Sequence, residues 1–375
     1  MQVLQISCGY VFSKVYYNLF NAIDLAGAEQ IVYGPIRKDE VTEFGERFKS
    51  GKYETFCPGI LRKWYKFTYH YKQLVMYRDL LKRIDVTKSD IVHAHTLLTD
   101  GGLAYKLKKN FNIPYVVAVR NTDVNGFFDK LPHTWHDARK ILLNAECVYF
   151  ISQGLKVKFE NHKAVKSIIP KIADKIKIIP NGIDDTFLDN INSNRKNNHK
   201  VIYVGQFTHN KNVGRLIEAI KSVRIERDLA DTSLTIIGGG GEDFDESING
   251  IIESNKSFVT YLGKIYDVQK LMSHYREHTM FAMVSIHETF GLVYIEALSQ
   301  GLPVLYTKGQ GVDGVLAESA GIGVNPFSVN DIAEGIKKIL REQEYYSNAT
   351  VSFDTYRWKN IGELYYKEYG KILKL

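Results

Sequence analysis

Apolar residues follow two alternating rhythms along this chain. In the first half, short runs of β-branched and aromatic residues recur: QVLQIS, QIVYG, DIVHAH, YVVAVR, CVYFIS and KIIPNGI. Runs of this length and composition predict buried strands. Between them lie longer stretches with helical spacing. One is KVYYNLFNAIDLAG, closed by Gly27; another is GGLAYKLKKNFNIP, stopped before Pro114. A polar segment, RKNNHK from Arg195 to Lys200, breaks the rhythm. It then restarts with VIYVGQF, the helix NVGRLIEAIKSVRIE, SLTIIGGG, FVTYLGK, a helix from Val268, MFAMVSI, a helix from Leu292, PVLYT and GIGVNP. A helix from near Asp331 and the stretch WKNIGELYYKEYGKILK close the chain.

Strand–helix alternation predicts an α/β fold with parallel sheets covered by helices. A chain of 375 residues is too long for one core. The expected division is a Rossmann-like domain over 1–185, a linker over 186–200 and a second Rossmann-like domain over 201–355. The last segment, 356–375, is expected to pack back on the first domain. Ligands of open α/β sheets bind outside the carboxyl ends of the strands. Two such sheets facing a central cleft would place the site between them.

The stretch VSIHETFGLVYIEALSQG carries the most pointed chemistry. MFAMVSI predicts a buried strand, HETFG the turn after it, and LVYIEALSQG a helix ended by Gly301. Glu288 then stands at a strand's carboxyl end, and Glu296 lies more than a turn into the helix. The N–H groups of Phe290, Gly291 and Leu292 open the helix, where unsatisfied donors and the helix dipole favour an anion. Two carboxylates for hydroxyls and several amides for oxygens suit a polyhydroxyl, anionic ligand such as a sugar nucleotide.

Embedded as S-x-x-E-x-F-G-L-x-x-x-E-A-x-x-x-G-x-P-V, this stretch resembles retaining glycosyltransferases of the GT-B fold, family 4 (glycosyl transferases group 1) type. VGQF with Lys211 before LIEAI, IIGGG, YLGKI, GIGVNP and the upstream IPNGID match in order. The resemblance implies that Glu288 bonds hydroxyls of the donor sugar, Glu296 holds the nucleotide ribose and Lys211 contacts the diphosphate. It assigns a base contact to the Lys264–Ile265 backbone and places Gly9, in SCGY, at a turn near the diphosphate and acceptor. It implies a nucleotide-sugar donor, UDP-linked by expectation, with no metal or other cofactor. A leaving diphosphate needs positive charge against its developing anion.

Two positions depart from the family pattern. Gln206 stands where an arginine follows the glycine, and Arg120, in VRNTD, stands where a histidine often faces the reacting sugar. Arg120 is expected to meet a diphosphate or an anionic acceptor and so to offset Gln206; a salt bridge to Asp123 or a neighbouring loop is the structural alternative.

Other motifs narrow the class. CGYVFSK lacks the G-x-G-x-x-G of dinucleotide enzymes. IIGGGGEDF lacks G-K-[ST], and Glu242, Asp243 and Asp245 follow it, where they would repel phosphate. His93 and His95 have no third ligand at metal spacing and are expected to form a polar cluster on the acceptor side. Cys8, Cys57 and Cys147 are scattered and odd in number, which points to reduced thiols and a cytoplasmic protein. MQVLQIS has no basic leader and predicts a first strand. No run is long enough to span a membrane.

The net charge of +7 selects no partner by itself, but it is unevenly spread. Between Arg47 and Arg83, ten cations face two acids, a surplus as large as that of the whole chain. Trp64, Tyr65, Phe67 and Tyr69 are interleaved with them. Such a surface is expected to rest on anionic lipid at the inner face of the cell membrane, with a glycan or lipid-linked acceptor. No nucleic-acid module appears. The expected function is sugar transfer from a nucleotide-diphosphate donor to such an acceptor in surface polysaccharide synthesis. A nucleotide-sugar epimerase on a similar scaffold and a non-catalytic sugar-nucleotide-binding subunit are the alternatives.

Overall fold

The structure is a computed structural model that describes residues 1–41, 52–194, 196–240, 246–346 and 351–375. The start of the basic stretch, with Arg47 and Lys49, Arg195 of the polar segment and the acidic tail of the glycine run (241–245) lie outside the described residues.

The chain forms two compact units. The first comprises Met1–Ile151, Leu155–Gly182 and Trp358–Leu375. Its strands are β1 (Gln2–Ile6), β2 (Glu29–Tyr33), β3 (Ile36–Arg37), β4 (Glu54–Phe56), β5 (Gly59–Leu61), β6 (Ile91–Ala94), β7 (Tyr115–Ala118), β8 (Cys147–Phe150) and β9 (Ile176–Ile178). Seven of them make one parallel sheet in the order β4-β2-β1-β6-β7-β8-β9, and β3 pairs with β5 apart from it. Every residue of β6, β7 and β8 is buried, as expected for parallel strands covered on both faces. The helix Trp358–Leu373 packs on the helix Lys14–Leu25. Gly362 permits this approach, since a Cβ there would stand 2.2 Å from the carbonyl oxygen of Ala22. Tyr365 and Tyr369 complete the core beneath.

The second unit comprises Ser152–Gly154 and Ile183–Arg357. Strands β10 (Lys200–Gly205), β11 (Ser233–Gly238), β12 (Val259–Tyr261), β13 (Met280–Ala282), β14 (Val304–Thr307) and β15 (Gly321–Val324) form a parallel sheet in the order β12-β11-β10-β13-β14-β15. The helices Val213–Val223 and Val329–Arg341 pack together through buried Leu216, Ile217, Ile220, Ile332, Ile336 and Ile339. Burial of each such side chain contributes about 1.5–3 kcal/mol.

The polar stretch read as a linker belongs to this second unit. It carries the helix Asp185–Asp189. The N–H of Asn192 donates to the Ser299 carbonyl (2.9 Å) and that of Asn198 to Thr279 Oγ1 (3.2 Å). Its polar residues are hydrogen-bond partners of loops, which composition alone does not distinguish from a solvated connector. The short strands β3, β4 and β5 are also new: they fall in or beside the basic stretch, where charge masks the pattern.

In each sheet the strand order reverses once. β1 lies between β2 and β6, and β10 lies between β11 and β13. Ligands of open α/β sheets bind at this reversal, outside the carboxyl ends of the strands. The loops concerned are 7–13 and 95–98 in the first unit, and 206–212 and 283–291 in the second.

Candidate active site

In the second unit the loop after β10 passes through a short turn, His209–Lys211, to Asn212. Asn212 adopts φ +58, a left-handed conformation that Asn tolerates better than most residues. Its buried amide donates to the carbonyls of Val284 (3.0 Å) and Pro326 (2.7 Å) and so fixes the start of the next helix. Asn210 grips the loop that follows β13. Its Oδ1 accepts from the His287 N–H (2.9 Å), its Nδ2 donates to the His287 carbonyl (2.9 Å) and its carbonyl accepts from the Ile286 N–H (2.8 Å).

Lys211 lies between these two clamps, with Nζ 2.7 Å from Glu288 Oε2. Ser285 Oγ donates to the same oxygen (3.2 Å), and the Thr289 N–H donates to the other (3.1 Å). The side chains of Lys211 and Glu288 are 22% and 11% exposed. The pair is therefore shielded enough to interact strongly, yet open enough for a ligand to compete for both partners. An incoming phosphate would take the ammonium, and sugar hydroxyls would take the carboxylate.

Gly291 starts the helix Leu292–Ser299 at φ +80, and a Cβ there would stand 2.4 Å from the Tyr294 ring. Both constraints demand glycine. Among the described residues nothing accepts from the N–H groups of Phe290, Gly291 and Leu292. Deeper in that helix, Tyr275 OH donates to Glu296 Oε2 (3.4 Å). Burial pushes the Glu296 carboxyl up to about 7; the Tyr275 hydroxyl opposes this and the charge of Asp184 adds to it. Near neutral pH Glu296 can thus donate to, as well as accept from, a ligand hydroxyl.

Lys264 and Ile265 follow β12, Lys264 exposed, with its ammonium beside Gly240. Gln206 is exposed on the Lys211 loop; its carbonyl accepts from Tyr203 OH (2.7 Å), and its amide group has no partner among the described residues.

Gly9 and Arg120 belong to the first unit. Gly9 follows β1, and a Cβ there would stand 2.8 Å from the Tyr16 ring. The Cys8 N–H donates to Asp100 Oδ1 (3.2 Å). Asp123 takes three backbone N–H groups: Leu97 (3.0 Å), Leu98 (3.4 Å) and Arg120 (2.9 Å). Asp100 and Asp123 are wholly buried, and burial pushes each up to about 6. The expected alternative of an Arg120–Asp123 salt bridge is thus replaced by a backbone contact. The guanidinium instead donates from Nε to the His95 carbonyl (3.0 Å) and lies over the Tyr16 ring, 5.5 Å from its centroid.

The histidine pair is also corrected. His93 and His95 are fully buried and stacked, with ring centroids 3.9 Å apart. His93 Nδ1 lies 2.6 Å from Tyr369 OH and His95 Nε2 lies 2.8 Å from Gln5 Oε1. Burial depresses both imidazoles. They are a core network and not a cluster presented to an acceptor, because the parallel strand that carries them is covered on both faces. Among the described residues, no group of three or more His, Cys, Asp and Glu could hold a metal ion, and no helix is long and apolar enough to cross a membrane.

The structure therefore joins Glu288 directly to Lys211, with Phe290–Leu292 and Gln206 on the same two loops. Glu296, Lys264 and Ile265 lie on other elements of that unit, and Gly9 and Arg120 lie in the first unit. Sequence reasoning missed Asn210, Ser285, Tyr275 and Asp100. Only Asn210, adjacent to Lys211, carried a signal that could have pointed to it.

Two Rossmann-like units with strand order reversing at β1 and β10 define a GT-B fold. Residues 184–351 match the model for glycosyl transferases group 1, and residues 13–187 the model for Glycosyltransferase Family 4. The chain belongs to the family 4 type of GT-B glycosyltransferases. A Bacillus subtilis protein named for teichuronic acid biosynthesis, TuaC, is 25% identical over 68% of this chain and 62% of its own length. The alpha-monoglucosyldiacylglycerol synthase of Acholeplasma laidlawii is 23% identical over 90% of this chain and 85% of its own. The Anabaena protein HepE, solved with UDP-glucose, aligns over 100% of this chain and 98% of its own, with a TM-score of 0.65 at 14% identity.

Proposed function

We propose that this glycosyltransferase moves a sugar from a UDP-linked donor to a lipid-linked glycan acceptor in surface polysaccharide synthesis, with retention at the anomeric carbon and without a metal. The observation that carries the donor half is the Lys211–Glu288 pair at the strand reversal of the second sheet. In this reading the Lys211 ammonium leaves Glu288 for the donor diphosphate and stabilises the negative charge that grows on it as the glycosidic bond breaks. Glu288 accepts from the hydroxyls of the sugar. The N–H groups of Phe290, Gly291 and Leu292 take sugar or phosphate oxygens, Glu296 holds the ribose, and the Lys264–Ile265 backbone meets the base. Arg120 is assigned to an anionic group of the substrates. The UDP-glucose bound by HepE supports the donor assignment. The names of the Acholeplasma and Bacillus relatives support a glycolipid or surface-glycan product.

Membrane association belongs to the same proposal. Tyr71, Leu74 and Leu81 are exposed on the helix Tyr69–Arg83, beside Arg78, Lys82 and Arg83. An exposed face mixing apolar and basic residues suits an anionic membrane surface.

UDP-, GDP-, dTDP- and ADP-sugars screened by thermal shift test the donor. A UDP-sugar is expected to raise Tm most and to be hydrolysed slowly without acceptor. Conversion into an isomeric nucleotide sugar would point to an epimerase, and binding without turnover to a non-catalytic subunit. Sedimentation with liposomes containing phosphatidylglycerol, compared with neutral liposomes, tests the membrane contact.

A further inference from the structure

Resting on the acceptor half of that reading, we infer that the first unit contains a pocket for an amphiphilic anion: a phosphate or diphosphate group joined to an apolar chain. The cavity measures about 320 Å³, large enough for such a head group and the first carbons of its chain.

Its charge is one-sided. Arg37, Arg62, Lys63 and Lys72 line it, and among the described residues no carboxylate does. Two of these cations are already compensated, Arg37 by Glu40 and Lys63 by Asp39 (3.3 Å). Arg62 makes no ion pair among the described residues, and Lys72 donates to Thr99 Oγ1 (3.3 Å) while its charge also reaches the buried Asp100 carboxyl. The pocket therefore keeps Arg62 wholly, and Lys72 in part, for a ligand. The Lys72–Thr99 bond also places one of them at the start of the helix that follows β6. That is the strand-reversal end of the first sheet, where ligands of such sheets sit.

The remaining wall is apolar. Leu61, Phe127 and Leu131 supply aliphatic and aromatic surface. Tyr69 presents its ring, because its hydroxyl is committed to the Leu98 carbonyl (3.2 Å). Outside, Trp64 stands between the lining residues Lys63 and Tyr65; it is 49% exposed and stacks on Tyr71, with ring centroids 5.5 Å apart. The exposed positions Tyr71, Leu74 and Leu81 carry this apolar strip along the helix. A neutral sugar would leave Arg62 without a counter-charge and Lys72 with only the buried Asp100. A free inorganic anion would leave the apolar wall wet. A phosphorylated lipid satisfies both walls at once.

Calorimetric titration of the full chain with farnesyl diphosphate, farnesol and inorganic diphosphate tests the pocket, with UDP titrated in parallel. Farnesyl diphosphate is expected to bind at least about tenfold tighter than either fragment, and Arg62→Gln with Lys72→Gln to weaken it at least about tenfold while UDP binding holds. Arg62→Gln alone, at an exposed and unpaired position, keeps the test valid if the double variant misfolds; it is expected to weaken binding several-fold. Inorganic diphosphate binding as tightly as farnesyl diphosphate would overturn the inference, as would variants that bind farnesyl diphosphate like the wild type. Loss of UDP binding, with farnesyl diphosphate still bound, would count against the donor assignment and leave the pocket standing.

Discussion

The two sheets reverse their strand order in the same way, yet they treat polar residues at the reversal differently. In the second unit Lys211 and Glu288 meet on loops beyond the strand ends, partly exposed, and their main partner is each other. In the first unit Asp100, Asp123, His93 and His95 are wholly buried, and all four hold backbone or core side chains in place. One topology thus supports two uses of charge. A partly exposed ion pair can exchange partners with a ligand, whereas buried carboxylates that accept backbone N–H groups set loop shape. Arg120 is the exception in the first unit: its guanidinium is only partly buried and rests on a carbonyl and a ring.

The largest effect should separate the two cations. Lys211→Ala is expected to lower kcat for sugar transfer about 10²–10³-fold, the loss typical of removing one group that stabilises charge in the transition state. Arg120→Ala is expected to cost about tenfold or less, on the scale of one charge-assisted hydrogen bond. Steady-state transfer assays on both, repeated with Gln206→Arg, would break the comparison if Arg120→Ala matched Lys211→Ala. If Gln206→Arg restored the Arg120→Ala enzyme, the idea that Arg120 offsets Gln206 would be strengthened.

Next comes Asp123. Asp123→Ala leaves three N–H groups in a dry site and should destabilise the first unit by about 2–3 kcal/mol, lowering its Tm by about 5–10 °C. Ser285→Ala removes one bond to a carboxylate that keeps other partners, and should cost under about 1 kcal/mol. Thermal melts resolve this; equal shifts would mean the wholly buried carboxylate is no more structural than the partly exposed one. Gly291→Ala should fall between them, about 1–2 kcal/mol from the left-handed backbone and the clash with Tyr294, whose hydroxyl is tied to the Met283 carbonyl. It should also weaken UDP binding, since the change sits among the N–H groups assigned to the donor.

The second unit's site was largely legible in sequence because its chemistry sits on one short strand–turn–helix stretch. Glu288, Gly291 and Glu296 could be placed from local pattern alone, and Lys211 from the resemblance carried by VGQF and the LIEAI helix after it. The parallel sheets were legible for a similar reason: a strand covered on both faces is apolar throughout. What escaped was set by distant contacts. Nothing local says that Asp100 takes the Cys8 N–H, or that Tyr275 bonds Glu296 across 21 residues of chain. The HAH motif looked like a presented cluster because polar residues on a strand end resemble a site. Their partners, Gln5 and Tyr369, come from opposite ends of the chain. The strands β3–β5 were hidden because their stretch is dominated by charges and aromatics, not by period-two alternation.

The smallest effect bears on the acids of the two units through pH. Glu296 binds its proton more tightly when folded, about 7 against 4.5, because burial disfavours its charge. Between those values the folded chain holds a proton that the unfolded chain has lost, so the second unit should lose stability as pH rises through this window. Asp100 and Asp123 follow the same sign in the first unit, but their window runs from 3.8 to about 6. Of these three acids only Glu296 should still contribute to the slope between pH 6 and 7; the buried His93, His95 and His278, whose imidazoles are depressed, contribute with the opposite sign up to their ordinary value of 6.5. Glu296→Gln removes the titration and keeps the shape. Its Tm relative to wild type should therefore rise as pH goes from 5 to 8, with about half of the change above pH 6. A difference that stays constant across this range would show that Glu296 is solvated and charged in the unliganded protein, and its assignment as a buried ribose partner would lose its physical basis.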